Sequence, residues 1–226
     1  MFSGVLYIIR RVIGGFILCY NNDMRVIKLT AQNKNKVLHQ ALEIINRGGT
    51  IVYPTETAYA LGGDFFSPLA YQKVLEIKGR PKDKILPVIV PDEHVARSLV
   101  TFPARAQRLA KEHWPGPLTM VLPLKHSKLQ HTQFKSRTLA LRVSSHPIAQ
   151  ALSRLSGRAL IVTSANVSGQ PAVYDIKHFL AQMRGRTAQP DLVLDYGVLP
   201  EVFPSTIIKL TANSLKVLRQ GPIVVN

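Results

Sequence analysis

The chain has a single cysteine, Cys19. A lone thiol excludes a disulfide framework and a cysteine-rich zinc site, and it fits a reducing compartment. Acidic residues are scarce: 13 Asp and Glu face 29 Lys and Arg, for a formal charge of +16. So basic a chain expects an anionic partner, whether nucleic acid, nucleotide or membrane surface. The cations are spread along the sequence, so part of the charge also reads as a solvated surface. No HExxH pattern occurs, and His126 and His131 sit five apart in a polar stretch, poor spacing for ligands on a helix. Neither GxxxxGK[ST] nor GxGxxG is present, so a bound nucleotide would be held without a P-loop or a Rossmann fingerprint. The apolar run Val12 to Tyr20 falls short of the ~20 residues that cross a bilayer.

What is present is a foldable chain of 226 residues, 46% hydrophobic, a size that suits one large domain. Val37, Leu38, Ala41, Leu42 and Ile45 share one helical face, and Gly48-Gly49 stops that helix. Helical patterns also cover residues 69–78, 92–99, 104–113, 147–155 and 176–183. Pro81 ends the first of these and Pro147 opens the fourth. Strand patterns cover 50–53, 86–90, 118–124, 139–143, 160–163, 192–194, 206–210 and 215–218. Strands alternating with helices predict an α/β fold. No internal repeat and no clear linker divides the chain.

Several segments carry polar residues at element ends. Lys78 and Arg80 close the helix before Pro81, and Lys84 follows on the same connection. Such cations complement a helix dipole, or they line a strand-end crevice that takes an anionic ligand. Thr163-Ser164-Ala165-Asn166 follows a buried strand. These are ordinary turn formers, and equally they are donors small enough to let backbone approach a phosphate. Thr55, Glu56 and Thr57 follow the strand ending at Pro54. Their hydroxyls suit an amino-acid substrate, and Glu56 suits an ammonium, a magnesium ion or a turn. Arg142 ends an apolar strand and needs a partner, either a substrate carboxylate or an internal Asp or Glu.

In order and spacing, Pro54-Thr55-Glu56-Thr57, Lys78-Gly79-Arg80-Pro81, Trp114-Pro115-Gly116-Pro117-Leu118-Thr119, Leu139-Ala140-Leu141-Arg142 and Thr163-Ser164-Ala165-Asn166 resemble the threonylcarbamoyl-adenylate synthase (YrdC-like) family. The resemblance runs from about Val26 to the C-terminus. It implies a single α/β YrdC-like domain, a twisted mixed sheet flanked by helices with a basic crevice. It also implies a nucleotidyltransferase that condenses ATP, L-threonine and bicarbonate to an adenylate and pyrophosphate, the start of a tRNA modification. By resemblance Lys78 and Arg80 are the catalytic pair at the nucleotide. Lys84, Thr138, Ser164, Asn166, the main chain at Ala172, and Arg219 join Arg80 as ATP contacts. Thr57, Arg142, the main chain at Val162, and Ser205 contact threonine. Magnesium is implied only as the companion of ATP, with no tightly bound cofactor.

The chain departs from the family pattern at three places: Ala60 stands where Gly is usual, Ile85 where Pro often follows, and Ile89 where many relatives have His. The implied partners are tRNA or double-stranded RNA and other proteins of the threonylcarbamoylation pathway, with no membrane and a cytoplasmic location. The alternative is a basic RNA-binding paralogue with little synthase activity. Retained threonine-side residues favour the enzyme, since an RNA binder has no need of Thr57, Arg142 and Ser205. Met24-Arg25-Val26-Ile27 reads as a start into a first strand. Residues 1–23 are therefore expected to be a non-native or unstructured extension, with the catalytic domain over 24–226.

Overall fold

The computed structural model describes residues 24–81, 86–125, 137–211 and 214–225, together with the backbone of 8–12 and 15–20. Lys84, His126 and His131 lie outside the described residues. The mixed α/β class holds, and the expected sheet is divided in two. The first sheet has the order β1-β2-β3-β11-β4-β5-β10 and the second β13-β12-β7-β8-β6-β9. In the first, β3 (Met24–Lys28), β11 (Leu192–Asp195) and β4 (Ile51–Pro54) run parallel. β5 (Tyr59–Gly62) and β10 (Thr163–Ser164) continue that sheet antiparallel. β1 (Ile8–Val12) and β2 (Gly15–Tyr20) extend it beyond β3. In the second, β7 (Leu118–Pro123) lies between β12 (Thr206–Leu210) and β8 (Thr138–Arg142). β13 (Leu215–Arg219) flanks β12, while β6 (Val88–Ile89) joins β8 to β9 (Leu160–Ile161).

β9 belongs to the second sheet and β10 to the first, so the chain changes sheets at Val162. β5 and β10 are short and rich in small residues, and lack the apolar alternation that marks a strand. Their pairing is tertiary: Thr163 opposes Leu61 and Ser164 opposes Ala60.

The helices start and stop where local chemistry dictates. α1 (Lys34–Asn46) ends before Gly48, which takes φ of +76°. α2 (Pro68–Lys78) is capped by Ser67, whose side chain accepts from the Ala70 amide. Gly79 closes it in the left-handed region, φ +60°, and the amide of Arg80 turns back to the carbonyl of Leu75. α3 (Glu93–Leu99) is capped by Asp92, and α4 (Ala104–His113) leads into β7. α5 (Pro147–Ser156) and α6 (Ile176–Met183) complete six helices among the described residues.

Two apolar clusters hold the layers together. The larger draws Val52, Leu61, Met120, Leu122, Leu141 and Ile208 from both sheets against Phe65, Val74 and Phe179. The smaller lies beneath α1 and α5, around Ile45, Tyr53, Ile89 and Leu152. Each large apolar side chain so buried contributes ~1.5–3 kcal/mol. Ile89 is fully buried in this second cluster, so its position is given to packing. No helix of the described residues is long and apolar enough to cross a membrane.

Candidate active site

Period-two alternation decides which residues of the second sheet face the core and which face a cavity. On β7, Leu118, Met120 and Leu122 are fully buried, while Thr119 and Val121 line the cavity. On β8, Leu139 and Leu141 enter the core and Ala140 and Arg142 line the cavity. Ile207 and Arg219 add to that wall from β12 and β13. The facing wall comes from the first sheet and its loops: Thr55, Thr57 to Ala60, then Val162 to Ser164. The cavity between them holds about 820 Å³. Its lining includes Lys78, Arg80, Arg142 and Arg219 and, among the described residues, no carboxylate.

Ten of the twelve residues expected at the site line this one cavity. On the nucleotide side these are Lys78, Arg80, Ser164, Asn166, Ala172 and Arg219. On the threonine side they are Thr57, Arg142, Val162 and Ser205. Lys84 lies outside the described residues. Thr138 is on the cavity face of β8 but four residues before Arg142, roughly 13 Å along the strand at 3.3 Å per residue, and is not in the lining.

Lys78 is not the solvated helix-end cation that its sequence position suggests. It is 3% exposed. Its Nζ donates to the Ser164 carbonyl at 2.6 Å, the Asn166 carbonyl at 2.8 Å and Asn166 Oδ1 at 3.1 Å. Burial, and then the charge of Arg80, lower its pKa from 10.5 to about 8. The Ser164 hydroxyl donates to the same Asn166 oxygen at 2.5 Å, and Asn166 Nδ2 donates to the Gln170 carbonyl. The Ser168 amide binds the Lys78 carbonyl at 2.9 Å. Lys78 therefore shapes the Ser164–Gln170 loop as well as adding charge. Arg80, two residues on, is only half-buried and lines the cavity directly.

At the other end, the Thr55 hydroxyl donates to the Ala58 carbonyl at 2.6 Å and lies 3.1 Å from that of Thr57, fixing the turn after β4. Ser205 accepts from Arg219 Nη2 at 2.9 Å, and its carbonyl accepts from Arg219 Nε at 2.9 Å. Burial and the nearby Arg142 both lower the pKa of Arg219, a sign that the two guanidiniums share an electropositive region. Arg142, 5% exposed, has Nε 3.3 Å from Glu56 Oε1, and Glu56 Oε2 accepts from the Ser144 hydroxyl. The buried partner of Arg142 is thus an internal Glu, one of the two possibilities its strand position left open.

Sequence reasoning gave no role to Thr119 or Ser144. Thr119 Oγ1 lies 2.9 Å from Ser205 Oγ and so orients that hydroxyl. The Trp114–Thr119 segment delivers it: the Gly116 amide binds the Val143 carbonyl at 2.8 Å and the Thr206 amide binds the Pro117 carbonyl at 2.9 Å. Alternation on β7 was the available signal, because it places Thr119 opposite in face to Leu118 and Met120. Ala60, where the family pattern has Gly, is 2% exposed; it belongs to the smaller apolar cluster and lines the cavity opposite Ser164 in the β5–β10 pairing.

Residues 43–221 match the family model Sua5_yciO_yrdC, described as "Telomere recombination". The chain is 34% identical over 186 residues to a threonylcarbamoyl-AMP synthase of Bacillus subtilis, covering 81% of this chain and 53% of that protein. A protein of the same name from Pyrococcus abyssi is 34% identical over 182 residues, covering 80% and 53%. The chain spans about half the length of these two curated relatives. Against a Mycobacterium tuberculosis relative it is 33% identical over 193 residues, covering 85% and 87%. The structure resembles P. abyssi Sua5 complexed with L-threonine at a TM-score of 0.77 and 31% identity, over 88% of this chain and 58% of that one. It resembles E. coli YciO at 0.75 and 28%, over 88% and 95%. With the fold and the family model in agreement over most of its length, this chain belongs to the Sua5/YciO/YrdC family.

Proposed function

We propose that this protein is a nucleotidyltransferase that condenses L-threonine, bicarbonate and ATP into L-threonylcarbamoyladenylate and pyrophosphate. One observation carries the reading: nucleotide-side and threonine-side residues, scattered from Thr57 to Arg219, line a single cavity. Its volume of about 820 Å³ suits two small ligands held side by side. The names of its relatives and the threonine complex of P. abyssi Sua5 support the same substrate class.

The residues divide the work by charge. Arg80, Lys78 and Arg219 face the triphosphate, and the loop from Ser164 to Asn166 offers it hydroxyl and backbone groups. Arg142 takes the substrate carboxylate, with Thr57 and Ser205 beside it. The threonine amine attacks the carbon of carbon dioxide, formed from bicarbonate, and loses a proton to give a carbamate. A carbamate oxygen then bonds to the α-phosphorus as the bond to the bridging oxygen breaks. Pyrophosphate leaves with that electron pair. Positioning and charge neutralisation supply the rate, which suits a lining of Lys, Arg, Ser and Thr. Magnesium enters as the companion of ATP. Among the described residues the lining offers it hydroxyl and amide oxygens but no carboxylate, which suits a metal carried by phosphate oxygens. The product is destined for tRNA through further proteins, and the +16 charge suits work beside nucleic acid.

The test is pyrophosphate release from ATP and bicarbonate by the purified chain. Release is expected with L-threonine and far less with serine, glycine or no amino acid. Equal release in all four would overturn the reading.

A further inference from the structure

Of the four cationic side chains lining the cavity, only Arg142 has a carboxylate at ion-pair distance among the described residues. The exception is physically odd. Arg142 Nε and Glu56 Oε1 face each other at 3.3 Å, yet both atoms are buried and neither completes a hydrogen bond. Misaligned buried partners cost stability, so the arrangement is not explained by the fold alone. Glu56 is in turn held from behind, because its other oxygen accepts from the Ser144 hydroxyl. Ser144 also accepts from the His146 amide at 3.3 Å, which ties the carboxylate to the start of α5. Elsewhere in the cavity the cations lean on neutral groups: Arg219 on Ser205, and Lys78 on the carbonyls of Ser164 and Asn166.

We propose that Glu56 is a positioning and specificity-determining residue, which aims Arg142 into the cavity and cancels its charge, so that this end takes a zwitterionic amino acid and rejects a second phosphate. The substrate named here rests on the synthase reading above. The argument for rejecting phosphate does not, since it follows from charge alone. A bare guanidinium, 95% buried, would attract a phosphate dianion more strongly than a neutral zwitterion. With Glu56 beside it, the charge of the pair is near zero, and the donor geometry selects the ligand. Lys78 and Arg80, without such a carboxylate among the described residues, remain for the triphosphate.

Glu56→Gln tests this, with binding of L-threonine and of inorganic sulfate read by titration and by the ligand-dependent rise in Tm. Threonine affinity is expected to fall about tenfold, the scale of one charge-assisted contact, with ATP affinity unchanged. Sulfate affinity is expected to rise about tenfold, and Glu56→Gln/Arg142→Ala should abolish that rise. Should the first variant unfold, Ser144→Ala keeps the carboxylate and removes only its hydroxyl donor. It is expected to weaken threonine binding and leave ATP binding as it was. Unchanged threonine affinity in Glu56→Gln or, failing that, in Ser144→Ala overturns the positioning role. Unchanged sulfate affinity in Glu56→Gln overturns the charge argument, and so does a gain that persists without Arg142. If the unaltered protein binds no threonine, the synthase reading fails, and the sulfate measurement alone decides the role of Glu56.

Discussion

The Nζ of Lys78 lies 2.6 Å from the carbonyl oxygen of Ser164, joining the last turn of α2 to the edge strand β10 of the first sheet. Two motifs 86 residues apart are therefore one structural unit. Lys78→Met keeps the apolar stem but removes the donor from three oxygens, two of them buried in company with Asn166. Stability should fall by roughly 2–4 kcal/mol and turnover with it. Thermal melting and turnover measured on one preparation check this. A variant with unchanged Tm would show that the loop holds its shape without Lys78.

Lys78 also makes a prediction in pH. Its pKa is lowered to about 8 in the folded chain, against an ordinary 10.5. Between those values the unfolded chain holds a proton that the folded chain has released, so from this group stability rises with pH. Over the same window the cavity loses a positive charge, so ATP affinity should fall as pH rises through about 8. Opposite slopes are expected from melting and from ATP titration. Parallel slopes would show that Lys78 does not govern nucleotide binding.

Arg142→Ala should raise the threonine requirement far more than the ATP requirement, because a charge-assisted pair to a carboxylate is lost, on the order of 2–4 kcal/mol. The variant should also melt earlier, since Glu56 is left buried without its cation. Glu56→Ala/Arg142→Ala should recover part of the stability and none of the affinity. Recovery of threonine affinity in the double variant would show that Arg142 serves only the fold.

Much of the framework could be read from local chemistry. Gly48, Gly79, Pro68 and Pro147 mark helix ends, and apolar patterns mark β4, β7, β8, β11, β12 and β13, though not β5 or β10. The gathering of ten site residues follows from the motif order. Long-range relations could not be read this way. Nothing near residue 162 signals that the chain changes sheets there, because strand order depends on contacts such as Leu61 with Thr163. Lys78 looks solvent-facing at a helix end, and only the approach of the Ser164–Gln170 loop buries it. Arg142 required an acid or a substrate, and local pattern could not choose Glu56 from 86 residues upstream.

No described lining residue of the cavity precedes Thr55, and β3 pairs with β11 on its inner side. A chain starting at Met24 should therefore keep the ligand affinities of the full chain. The edge of β3 that pairs with β2 would then face solvent, so a fall in solubility is the cost to measure. Lost affinity with the fold retained would show that residues 1–23 reach the site.

Arg80 separates charge from structure. Its amide belongs to the turn that closes α2, but its guanidinium is not needed by the apolar core and lines the cavity. If it neutralises the triphosphate, its effect grows as charge moves onto the departing pyrophosphate, so the loss should appear in turnover more than in ATP affinity. Arg80→Ala should cut turnover by ~10²–10³, the scale of losing a preorganised charge donor. Its Tm should stay close to that of the parent, because the backbone hydrogen bond to Leu75 survives the substitution. Arg80→Lys keeps the charge without the planar fork and should fall between the two. Unimpaired turnover in a stable Arg80→Ala variant would remove Arg80 from the catalytic machinery and leave Lys78 and Arg219 to carry the triphosphate.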